Sequence, residues 1–88
     1  MRVVGNTTDG RPVIAGLYSI YETHGIPLDV VISECVKRGA VPSWSHMVGE
    51  ANAAGMGLRR AISKVSQAVR DAACHAADII CESLQALL

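Results

Sequence analysis

Apolar residues recur at helical spacing in four stretches of this chain, and each of the first three ends at a glycine. Val13, Leu17, Ile20 and Tyr21 predict a helix over 12–24, with Pro12 in its first turn and His24 beside its negative end. Leu28, Val31, Ile32, Cys35 and Val36 predict an inward face for a second helix over 27–38. Asp29 in its first turn and Lys37 and Arg38 in its last follow the order that a helix dipole prefers. Its β-branched residues make a strand the rival reading, and the end signals decide for a helix. A third helix takes Ser43 as N-cap and buries Trp44, Met47, Val48 and Ala51 before Gly55. The runs Gly25-Ile26-Pro27, Gly39-Ala40-Val41-Pro42 and Gly55-Met56-Gly57 each supply a left-handed residue that closes a helix, then a residue that stops it continuing.

The fourth stretch carries the clearest period. Leu58, Ile62, Val65, Val69, Ala72, Ala76 and Ile79 step by alternating fours and threes, which predicts one long helix over 58–87 with a heptad seam. Its charges oppose its dipole: Arg59, Arg60 and Lys64 start it, Arg70 marks its middle, and Asp71, Asp78 and Glu82 follow. An antiparallel second copy would set each basic half against an acidic half, so the seam is expected to be a homodimer interface.

Residues 1–11 place turn formers, Gly5 to Gly10, between the apolar pairs Val3-Val4 and Val13-Ile14. A hairpin is one reading. The helical spacing from Val13 onward favours the other, a flexible N-terminal arm. The expected fold is all-α: a single domain over 1–88, with the arm at 1–11 and a bundle at 12–88 of three short helices and one long C-terminal helix.

Aromatic content of 3% leaves the core to Val, Ile, Leu, Ala and Met. Eight basic and eight acidic residues cancel, so no global field draws the chain to nucleic acid or an anionic membrane. Three cysteines, Cys35, Cys74 and Cys81, lack CxxC spacing and fit free thiols in a reducing compartment. The N-terminus turns polar too early for a signal peptide and no apolar run spans a membrane, so a cytoplasmic location with no membrane partner is expected.

Candidate chemistry is sparse. Cys74, Asp78 and Cys81 share a helical edge near His75, but no second ligand pair accompanies them, and neither metal nor cofactor is expected. His24, His46 and His75 offer bases without a strained or exposed nucleophile, so no enzyme is expected. The expected function is a non-enzymatic protein-interaction or assembly module, partnered by itself as a homodimer and by another protein. Its interface would be Leu58, Ile62, Val65, Val69, Ala72, Ala76 and Ile79, with Trp44 as an anchor. The alternative is a small DNA-associated regulator with a helix-turn-helix-like unit at 28–54, nucleic acid being met by Arg59, Arg60, Lys64 and Arg70. Against direct reading by that unit, its second helix carries neither Arg nor Lys.

Overall fold

The computed structural model describes residues 1–88 and contains both helices and a sheet, which overturns the all-α expectation. In chain order the elements are β1 (Arg2–Asn6), β2 (Pro12–Ala15), α1 (Leu17–His24), α2 (Leu28–Lys37), β3 (Val41–Pro42), α3 (Trp44–Ala53), α4 (Leu58–Asp71) and α5 (Ala77–Gln85). The sheet is mixed, in the order β1-β2-β3.

The N-terminal arm is a hairpin. β1 and β2 pair antiparallel with Val3 opposite Ile14 and Asn6 opposite Pro12, and a bulge lies between Val3 and Gly5. The turn is closed by its own side chains: the Thr7 N–H donates to Arg11 O at 2.8 Å, the Thr7 hydroxyl meets Asp9, and Arg11 Nε lies 3.0 Å from the same carboxylate. The Thr7 hydroxyl, and after it the Arg11 guanidinium, hold the Asp9 carboxyl below its ordinary value. Val13 therefore belongs to a strand. The helical spacing that included it ran across an element boundary at Gly16, whose φ of 89° ends the strand and starts α1.

β3 lies parallel to β2, with Val13 opposite Val41, and the Ser43 N–H donates to Ile14 O at 2.8 Å. Two residues have no readable period. Pro42, lacking an N–H, stands where a short edge strand tolerates it.

The core is drawn from α1 to α5, with Ile32, Met47, Ala51, Ile62, Val65 and Val69 almost completely enclosed. The inward face expected for α2 holds except at Val36, which is half in solvent. A long-range contact ties α1 to α3: the Glu50 carboxylate accepts hydrogen bonds from the N–H groups of Gly16 at 2.8 Å and Tyr18 at 3.3 Å. Glu50 thus caps a helix whose own N-terminus supplies no capping side chain.

The long C-terminal helix does not exist. α4 stops at Asp71 and α5 starts at Ala77, with Ala73 and Ala76 between them at φ of 52° and 60°. The Ala73 N–H donates to Arg70 O and the Cys74 N–H to Val69 O, the paired bonds of a Schellman ending. The break removes the part of the charge conflict that lies at the α4–α5 junction and leaves Arg59 and Arg60 at the positive end of α4. Arg70 becomes a last-turn cation of α4, Asp78 a first-turn anion of α5, and the two side chains pair at 3.2 Å.

Candidate functional site

With the rod broken, the expected seam divides into unlike parts. Ile62, Val65 and Val69 are enclosed by the chain's own helices, and Ala72 is half-buried against the same core. Leu58 is partly exposed, Ala76 sits in the α4–α5 connection, and Ile79 is 66% exposed on α5. The chain's own packing thus takes up the middle of the stripe, and no continuous apolar row remains for a second copy. Trp44 is half-buried at the start of α3 and packs on the core.

Two surfaces stand out. The first is an apolar groove of about 540 Å³ between the hairpin and the α1–α2 pair. Val3 and Ile14 form its strand wall, Leu17 and Ile20 come from α1, and Val30 and Val31 come from α2. Val3 is 59% exposed and Val30 43%, although each sits beside covered neighbours. Arg2, Glu34 and Arg38 stand at its edge. Glu34 meets Lys37 at 3.8 Å and Arg38 at 3.9 Å, both through exposed side chains, so neither pair holds firmly. Beside the groove, β1 is an outer strand with one edge unpaired. The sequence pattern does not show this surface, because Val30 and Ile26 fall inside or next to a helix whose period turns Leu28, Val31, Ile32 and Cys35 inward. The only sequence signal was the surplus of apolar residues over what that face could bury.

The second surface is the polar side of α4. At about 100° per residue, Arg59, Arg60, Ser63, Lys64, Gln67 and Arg70 fall within about 140° of arc, and the buried Ala61, Ile62, Val65, Ala68 and Val69 lie opposite. Lys64 lies 4.6 Å over the Tyr21 ring, an arrangement that holds its ammonium near α1. Arg60, Ser63, Lys64 and Gln67 line one wall of a cleft of about 570 Å³, whose other wall includes Pro27, Leu28 and Asp29. Four cations, Arg11, Lys37, Arg38 and Arg70, have a carboxylate within ion-pair reach. Arg59, Arg60 and Lys64 have none.

The remaining candidates are accounted for locally. Ser43 Oγ and His46 Nδ1 lie 2.6 Å apart across the first turn of α3, and no carboxylate orients the imidazole, so the pair is a helix-start contact. Cys81 donates to Ser66 O at 3.6 Å, and no three metal-ligating side chains converge around it, Cys74, His75 or Asp78. Burial pushes the Cys35 and Cys74 thiols up, the Cys81 charge adding to the effect at Cys74, so these sulfurs are poor nucleophiles. No helix is long and apolar enough to cross a membrane. No protein-family model, curated protein or solved structure matches this chain.

Proposed function

We propose that this protein is a non-enzymatic assembly module whose working surface is the groove between the hairpin and α1–α2, closed by a second copy of the chain. The supporting observation is that Val3, Ile26 and Val30 stand in solvent beside an otherwise covered apolar wall. Charge argues for the copy as occupant. In an antiparallel arrangement Glu34 of each α2 meets Lys37 and Arg38 of the other, exchanging weak internal pairs for pairs across a two-fold axis. The open edge of β1 is complementary to itself in the same sense.

Sedimentation at tens of micromolar tests this directly. The expected species is a dimer that Val30→Glu converts to a folded monomer, whose melting temperature falls only by the concentration-dependent stabilisation that dimerisation adds, because Val30 is not enclosed in the monomer. A charge swap gives a second reading: Glu34→Lys weakens self-association, and mixing it with a Lys37→Glu, Arg38→Glu chain restores dimers. A monomeric wild type, or a dimer indifferent to Val30→Glu, overturns the proposal.

A further inference from the structure

The alternative reading of the sequence is a helix-turn-helix-like unit at 28–54, but Val41–Pro42 in that connection is tied to β2 as strand β3, and α3 carries neither Arg nor Lys. One helix later the elements suit the purpose better. α3 and α4 pack on one another and are joined by Ala54–Gly57, with Gly55 at φ 101° in the turn. We infer that α3 and α4 form a helix-turn-helix unit for duplex DNA, with Arg59, Arg60, Ser63, Lys64 and Gln67 of α4 facing the major groove.

The charge on α4 is unbalanced. The whole chain is neutral, yet no acid occurs on α4 before Asp71, and Arg59, Arg60 and Lys64 have no carboxylate partner in reach. Their placement works against the isolated helix: the first turn holds two arginines and no acid, and no side chain caps it. An anion at that end relieves both the cation repulsion and the dipole, and a phosphate row presents such anions. Ser63 and Gln67 lie between the cations on the same face, where hydroxyl and amide groups read base edges, and the exposed bond from Gln67 Nε2 to Asp71 Oδ1 at 2.9 Å is the one that a base edge would displace.

Rigidity and shape suit the same partner. The apolar side of α4 is locked into the core, so its polar side is a fixed surface, and Arg59 to Arg70 span about 17 Å along the axis. The major groove of B-form DNA admits a helix of this kind, whereas the A-form groove of duplex RNA is too narrow. Asp29 across the cleft and Asp71 at the far end bound the patch, which confines phosphate contacts to the first turns of α4. This inference stands apart from the proposed dimer, since neither Val30 nor Glu34 lies on the face concerned.

The test is fluorescence anisotropy of a short, labelled mixed-sequence DNA duplex. Binding is expected at low salt. Raising salt from 50 to 200 mM should weaken it about 40-fold if three phosphates are contacted. Arg60→Ala should reduce the salt slope by about 1. Arg59→Glu and Arg60→Glu should abolish binding while leaving the melting temperature unchanged or higher, because they relieve the opposed dipole. Arg11→Glu, an equal charge change on the hairpin, should bind as the parent does. Silence at low salt, indifference to both α4 reversals, an equal loss with Arg11→Glu, or equal binding of duplex RNA would each overturn the inference.

Discussion

Gly55 and Ala73 end successive helices with the same pair of hydrogen bonds. At the first corner the Gly55 N–H donates to Asn52 O and the Met56 N–H to Ala51 O; at the second, the Ala73 N–H donates to Arg70 O and the Cys74 N–H to Val69 O. Glycine reaches the left-handed region freely, while an L-residue there costs roughly 1 to 2 kcal/mol. The α4–α5 half accepts that cost at Ala73 and again at Ala76, and it also encloses the Ser66 hydroxyl without a partner. One corner is built from local preference. The other is imposed by what α5 gains on docking, chiefly the enclosure of Cys81 and Leu84.

Gly55→Val should have the largest effect. Open space surrounds a Cβ at that position, so the cost is chiefly backbone strain, greatest for a β-branched residue, and should be about 2 to 3 kcal/mol in urea unfolding. Next comes Glu50→Ala, one turn before the same corner. It removes the charged cap of α1 and should cost about 2 kcal/mol, with Glu50→Gln recovering part of it. The other half should respond in the opposite direction. Ser66→Ala removes an orphaned hydroxyl and should raise stability by about 1 kcal/mol. Ala73→Gly should add about 0.5 to 1 kcal/mol, the relief of strain being partly offset by a freer unfolded chain. A loss of stability in Ala73→Gly would mean that the alanine corner is not strained, and a loss in Ser66→Ala that the hydroxyl is partnered after all.

Thiol titration supplies the smallest effect. Burial raises Cys35, beside the Gly39 corner, and Cys74, at the Ala73 corner, above the ordinary value of 9.0. Because the folded values are the higher ones, this stabilisation is complete below pH 9 and is lost as pH rises through the folded values. Alkaline melting should therefore soften, and replacing either thiol by Ala should flatten that part of the curve. Cys74, half-buried, should react with a thiol reagent before the buried Cys35 and Cys81, and more slowly once Ala73→Gly tightens its corner.

Legibility follows the same division. Leu28, Val31, Ile32 and Cys35 on α2, and Met47, Val48 and Ala51 on α3, occupy the inward positions that their spacing predicts, and Gly25, Gly39 and Gly55 close helices as expected. The hairpin was written in Thr7 to Gly10 but lost to a helical period that began one element too early. In the candidate surfaces, the cations of α4 were visible as a cluster, whereas the groove was not, because its walls come from residues far apart in sequence.

What the sequence determined alone was everything governed by neighbours within a few positions: the glycine corners, the amphipathic α4, and the clash between charge order and dipole along 58–87. That clash was itself the signature of the break, since splitting the segment places Arg70 at one helix end and Asp78 at the next helix start. Tertiary structure decided the rest. Two alanines enter the left-handed region because docking α5 outweighs their local preference, and β3 exists because β2 lies beside it. Glu50 caps α1 only once folding brings it to a helix start more than thirty residues away in sequence. Such contacts depend on through-space proximity that no local spacing encodes.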